Sequence, residues 1–185
     1  MEKTYTMEIA GLKRELPLFK VADDLYIAAF IMFGDVEITK ACAQKLLDMA
    51  PEYDIIVTAE CKSLPLVYEM ARRRGDANYV VCRKAPKVYM DDVITTNVNS
   101  ITTSHMQNLC IGKADVDAVR GKKVLIVDDV ISTGESLEAI EYLVEQAGGN
   151  IVGRMAVLAE GDAAKREDLT VLGELPLFHE DGTII

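Results

Sequence analysis

The sequence predicts an α/β fold: a central parallel sheet with helices on both faces, plus a small lobe built from the chain termini. Two patterns carry the sheet. Short apolar runs without alternation recur along the chain, as strands covered on both faces require, and stretches with helical spacing lie between them. A third observation carries the lobe. Glu-Leu-Pro-Leu-Phe occurs at 15–19 and again at 174–178, which would mark two edges of one small unit, with chance recurrence as the plain alternative. With 185 residues the chain has the length of one domain, 1–185, on a prior of about 150 residues each. Residues 1–35 and about 170–185 are assigned to the lobe.

In chain order, residues 36–49 put Ile38, Cys42, Leu46 and Met49 on one helical stripe, and Asp54–Thr58 is the first buried strand. Residues 64–74 carry Leu66, Val67, Met70 and Ala71 on a second helix, stopped by Arg-Arg-Arg-Gly. Tyr79–Cys82, Val124–Val127 and Ile151–Leu158 are the remaining strands. Residues 135–147 align Leu137, Ile140, Leu143, Val144 and Ala147, and Gly148-Gly149 supplies a C-cap. The stretch from Val93 to Gly112 is different: it has no Lys, Arg, Asp or Glu and is rich in Thr, Ser and Asn. It reads equally as an edge hairpin or as a lid over a site.

Composition narrows the function. Half the residues are apolar and 27% are charged, which excludes a disordered or collagen-like chain. The longest apolar run, Leu25–Phe33, falls well short of the roughly 20 residues a bilayer needs, so no membrane partner is expected. Met1-Glu2 opens no basic segment followed by an apolar run, so the expected compartment is the cytoplasm. A formal net charge of −10 repels polyanions, so no nucleic-acid partner is expected. A small anionic substrate would need a local island of cations and free N–H groups. Cys42, Cys61, Cys82 and Cys110 form no C-x-x-C pair and read as free thiols, mostly core, rather than as a zinc site.

The island lies in Val124–Ser136. Four apolar residues form a strand, Asp128 and Asp129 stand at its C-terminal end, and Ser132-Thr133-Gly134-Glu135-Ser136 opens a helix. Open α/β sheets bind ligands at the C-terminal ends of their strands. A loop of small residues at a helix N-terminus offers N–H groups and a positive dipole end to a phosphate. Two acids beside a phosphate repel it unless they serve a hydroxylated sugar or a metal, and a ribose bridged by Mg2+ meets both needs. The plain alternative is a capping box, Ser132-x-x-Glu135, beside two solvated acids.

This string resembles the phosphoribosyl-pyrophosphate signature of the type I phosphoribosyltransferases across all thirteen positions, with Glu135 in place of a second Gly. The resemblance implies a Rossmann-like sheet. It also implies that Asp128 and Asp129 are the catalytic pair, holding the ribose hydroxyls directly or through Mg2+. Ser132, Thr133, Gly134, Glu135 and Ser136 would then wrap the 5′-phosphate, with the Glu135 carboxylate turned away toward the Ser132 N–H. Two further segments are similar to the family. Glu60-Cys61-Lys62-Ser63, after the first strand and before Leu64-Pro65, looks like the pyrophosphate loop, with Lys62 at its basic position and Ser63 as an N-cap. Arg83-Lys84-x-x-Lys87 looks like a motif of adenine and xanthine phosphoribosyltransferases. All three segments fall at predicted strand ends, where one ligand could touch them all. The resemblance spans at least residues 54–158, and the 93–112 stretch falls where the family has its flexible loop.

What the resemblance implies is a purine phosphoribosyltransferase of purine salvage, using phosphoribosyl pyrophosphate, a purine base and Mg2+, and forming a homodimer. Adenine is the first expectation and xanthine the second, because Asn99–Ser104 looks like a bacterial xanthine phosphoribosyltransferase loop. The loop lacks the Lys of orotate enzymes and the Glu of adenine enzymes, so no general acid or base is assigned. His105 is its only side chain titrating near neutral pH, and its plain reading is a solvated loop histidine. Leu16–Phe19 and Leu25–Ile27 offer apolar faces for a flat ring, or are simply core. The alternative class is a non-catalytic regulator that senses phosphoribosyl pyrophosphate, against which the acidic charge argues.

Overall fold

The computed structural model describes residues 3–96 and 108–185. In chain order the elements are β1 (Thr4–Ile9), β2 (Leu12–Ala22), β3 (Leu25–Ala28), α1 (Val36–Met49), β4 (Ile55–Ala59), α2 (Leu64–Arg74) and β5 (Val80–Cys82). There follow β6 (Ile94–Thr95), β7 (Cys110–Ile111), α3 (Lys113–Val119), β8 (Lys123–Ile131), α4 (Glu135–Gln146), β9 (Asn150–Glu160), a 3-10 turn (Gly161–Lys165), β10 (Thr170–Leu175) and β11 (Leu177–Phe178).

The central sheet has the order β10-β9-β8-β4-β5, and every neighbouring pair is parallel. Strand residues alternate between two cores. Ile56, Leu125, Val127, Met155 and Val157 pack with Ile38, Cys42 and Leu46 of α1 and Leu66, Val67 and Met70 of α2. Ile55, Val57, Val124, Ile126 and Ala156 pack with Val116 and Val119 of α3 and Leu137, Ile140 and Leu143 of α4. Helices therefore cover both faces, as the unalternating apolar runs predict. Leu46, Leu66, Leu125 and Leu143 are fully buried, and truncating any one to Ala would cost about 2–5 kcal/mol.

The lobe is an antiparallel sheet of order β1-β2-β3-β11. The two Glu-Leu-Pro-Leu-Phe copies flank β3: Leu18 and Phe19 pair with Ala28 and Ile27, and Leu177 and Phe178 pair with Ile27 and Tyr26. One expectation is corrected. Residues from about 170 were assigned to the lobe, yet Thr170–Leu175 is the outer strand of the central sheet, and the chain crosses to the lobe only at β11. Arg14 of β2 fastens the lobe to the core through Asp35, at 2.7 Å, and the same carboxylate caps α1 by accepting from the Ile38 N–H at 3.0 Å.

The ends of the 93–112 stretch form the hairpin stem β6–β7, which Arg83 and Cys110 tie to the end of β5 by reciprocal backbone hydrogen bonds of 2.8 and 2.7 Å. Residues 97–107, with Asn99–Ser104, His105 and the lid reading, lie outside the described residues. Among those described, no helix is long and apolar enough to cross a membrane.

Candidate active site

β8 runs through the acid pair to Ile131, four residues past its apolar run, so Asp128 and Asp129 are strand residues. Asp129 is buried, and its Oδ2 has no hydrogen-bond partner; the nearest cation, the Lys62 ammonium, stands 3.6 Å away. Asp128 accepts from the Asp129 N–H at 2.8 Å. Burial first, and the Asp129 charge second, push the Asp128 carboxyl up to about 7. A desolvated acid pair with an unpaired oxygen is costly unless something arrives to bind it.

Above the pair lies a cavity of about 230 Å³. Of the residues expected at the site, Glu60, Cys61, Lys62, Ser63, Lys84, Asp128, Asp129 and Ser136 line it. The other expected residues, Ser132, Thr133, Gly134, Glu135, Arg83 and Lys87, do not.

Each loop is organised by short local contacts. Ser63 stands at the N-cap of α2, but its hydroxyl does not cap the helix as expected. It turns back to Thr58 Oγ1 at 2.7 Å and to the Ala59 carbonyl at 3.2 Å, holding the turn onto β4. The peptide between Glu60 and Cys61 is cis. Glu60 is a strut rather than a free ligand group. It accepts from the Lys84 N–H at 2.8 Å and lies 2.7 Å from Arg83 Nε, and the Lys84 hydrogen bond, followed by the Arg83 charge, holds its carboxyl below the usual range. Arg83 is thus engaged by Glu60, while Lys84 and the half-exposed Lys62 remain to meet an anion. Lys87 stands back from the cavity, its N–H turned to Met90 Sδ at 3.4 Å.

The loop after β8 also departs from expectation. Gly134 takes φ +86° and becomes the residue preceding α4, so Glu135 is the first helical residue and the Ser132/Glu135 capping box does not form. Gly134 has no side chain with which to cap α4; the Thr133 hydroxyl accepts from the Glu135 N–H at 3.5 Å, and the helix N-terminus lies beside exposed Ser132 and Thr133.

Two residues escaped sequence reasoning. Glu160, at the end of β9, is half-buried, and burial raises its carboxyl against the pull of Lys62. Its signal in the sequence is an acid two residues past the predicted strand Ile151–Leu158. Arg166 Nη1 lies 3.4 Å from where a Cβ on Gly134 would stand, and no motif pointed to it.

The site can be tested for a metal on its donor set. Among the described residues no group of three or more His, Cys, Asp or Glu side chains is placed to hold an ion. Two adjacent carboxylates with one orphaned oxygen do fit Mg2+, which is commonly held by one or two carboxylates and completed by substrate oxygens.

Fold and cavity together define an α/β protein in which two adjacent acids and two lysines line one cavity at the C-terminal edge of a parallel sheet. Residues 35–176 match the phosphoribosyl transferase domain family, and the chain belongs to that family. Adenine phosphoribosyltransferase of Petrotoga mobilis is 32% identical over 165 residues, covering 83% of this chain and 88% of that one. Xanthine phosphoribosyltransferase of Lactococcus lactis subsp. cremoris is 26% identical over 162 residues, covering 83% and 73%. The solved structure of adenine phosphoribosyltransferase from Rhodothermus marinus shares the fold, with a TM-score of 0.62 at 21% identity, over 93% of this chain and 94% of that one. The type I resemblance and the predicted fold class are both borne out.

Proposed function

We propose that the protein is a cytoplasmic, homodimeric purine phosphoribosyltransferase. It transfers the phosphoribosyl group of phosphoribosyl pyrophosphate to adenine, giving a nucleoside monophosphate and pyrophosphate. One observation carries the reading: the acid pair of β8, in which buried Asp129 Oδ2 has no hydrogen-bond partner, shares a cavity with Lys62 and Lys84. Asp128 and Asp129 hold the ribose hydroxyls and Mg2+. Mg2+, when bound, neutralises charge on the departing diphosphate. Lys62 and Lys84 add fixed positive charge where the same negative charge develops as the ribosyl carbon loses its leaving group. The N-terminus of α4 and the hydroxyls of Ser132, Thr133 and Ser136 hold the 5′-phosphate and so fix the sugar over the acid pair.

Adenine is supported by the Petrotoga mobilis relative. Xanthine is the second reading, supported by the Lactococcus lactis relative. The test is to incubate the protein with Mg2+, phosphoribosyl pyrophosphate and each of adenine, guanine, hypoxanthine and xanthine, and to measure released pyrophosphate. Release with adenine alone is expected. Release with xanthine instead transfers the assignment. Tight binding of phosphoribosyl pyrophosphate without release for any base overturns the enzyme in favour of a sensor.

A further inference from the structure

We infer that Arg166 is a positioning residue for the loop Ser132–Ser136, buttressing the turn at Gly134 so that the loop is already shaped for a sugar 5-phosphate; this rests on the phosphoribosyl reading above. Arg166 directly follows the 3-10 turn that ends β9, the strand beside β8. Its Nε and Nη2 donate to the two oxygens of Asp168 at 3.0 and 2.8 Å, a bidentate fork that fixes the guanidinium plane. That leaves Nη1 outside the fork, 3.4 Å from where a Cβ on Gly134 would stand.

Asp168 is itself held. Arg154 of β9 lies 3.5 Å from it, and Arg154 also pairs with Glu141 of α4. Alternating charges therefore run from α4 through β9 to Arg166 and return to the N-terminus of the same helix. Glu138 and Glu141 also face the guanidinium from α4.

The segment needs such a partner. Ser132–Ser136 contains no Lys or Arg, and it carries Glu135, with Glu138 one turn on and Asp128 and Asp129 just before it. Asp168 offsets much of the Arg166 charge, so the contribution of Arg166 is directional rather than a bulk positive field. Its Nη1 stands behind the turn, where it favours the left-handed conformation of Gly134 that shapes the loop. A loop preorganised this way binds phosphate without a further ordering cost.

The test compares wild type, Arg166→Gln and Arg166→Lys by calorimetry with two probes, ribose 5-phosphate and Mg2+-pyrophosphate, alongside thermal melts. Arg166→Gln should lose about tenfold in ribose 5-phosphate affinity and less than about twofold for pyrophosphate. In turnover, KM for phosphoribosyl pyrophosphate should rise by a similar factor with kcat within about twofold. Arg166→Lys should recover less than about threefold, because one ammonium cannot hold Asp168 and reach Gly134 together. Equal losses for both probes, or an unchanged ribose 5-phosphate affinity, would overturn the inference. If Arg166→Gln does not fold, Asp168→Asn, which loosens the fork and keeps the guanidinium, should show the same preferential loss, and its absence overturns the inference equally. Failure of the wild type to bind ribose 5-phosphate would instead sink the phosphoribosyl reading itself.

Discussion

Replacing Asp129 by Asn should stabilise the ligand-free protein while destroying its activity. Asp128 titrates near 7 in the fold against 3.8 in the unfolded chain, so ionising it in place costs about 1.36 kcal/mol per unit, on the order of 4 kcal/mol. The sign follows from the raised value: the cost is absent below pH 3.8, grows as pH rises, and is complete above about 7. Burial is the larger cause and the Asp129 charge the second, so removing that charge relieves part of the cost. Against this stands the Lys62–Asp129 pair at 3.6 Å, whose lysine is half-exposed and which is worth under about 1 kcal/mol. An amide at the same place can donate to the Asp128 carboxylate. The net expectation is a gain of about 1 kcal/mol at pH 7 and a melting temperature higher by about 2–4 °C in a chain of this size. Turnover should fall by at least about a hundredfold, because the acid pair no longer holds cation and sugar with full charge. Calorimetric melts without Mg2+ or substrate, paired with pyrophosphate release, test both halves. A variant that melts several degrees lower and keeps its turnover would show Asp129 to be a structural acid and refute the reasoning.

The other expectations follow from the same contacts. Gly134→Ala places a Cβ at φ +86° against the Arg166 guanidinium, so a loss of about 1 kcal/mol and weaker ribose 5-phosphate binding are expected in melts and titrations; wild-type values in both would mean the turn has another shape. Since Asp128 must lose its proton before a cation binds, Mg2+-phosphoribosyl pyrophosphate affinity should rise between pH 6 and 8 with proton release, measurable by calorimetry in two buffers of different ionisation enthalpy; a flat profile counts against the raised carboxyl. Glu69 is buried, and the hydrogen bond from Arg72, then that from Arg73, draws its carboxyl down to about 2, so its stabilisation is present above pH 4.5 and fades as pH falls toward 2. Glu69→Gln should cost about 1–2 kcal/mol in urea at pH 7, discounted for the half-exposed Arg72, and the gap to wild type should narrow at pH 3.

How much was legible in the sequence depended on how local the cause was. The strands β4, β5, β8 and β9 are apolar because helices cover both their faces, and that burial writes itself into each run directly. β10 carries a weaker record: Thr170–Leu175 lies at the sheet edge, contains Gly173 and Glu174, and is mostly half-buried, so its six residues look like the tail of the lobe. α3 spans seven residues with Val116 and Val119 as its buried anchors, too short for a helical stripe. The capping box failed for a backbone reason. Ser132 and Glu135 have the right spacing, but Gly134 adopts the left-handed conformation and moves the helix start past them.

The site divides along the same line. Residue types at a strand end are readable, whereas the partners that arrive from other strands are not. β8 lies between β4 and β9, so its C-terminal end receives the β4–α2 turn from one side and the turn after β9 from the other. The first brings Lys62 to Asp129, and the second brings Arg166 to Gly134. Glu60 shows the same dependence: its carboxylate is spent on Lys84 and Arg83 because β5 is the next strand over. Sheet order, which no single segment encodes, is therefore what decides which charges of the three predicted segments are left for a ligand. In this fold it leaves Lys62, Lys84 and the Asp129 oxygen, which has no hydrogen bond and only the distant Lys62 ammonium beside it, lining one cavity.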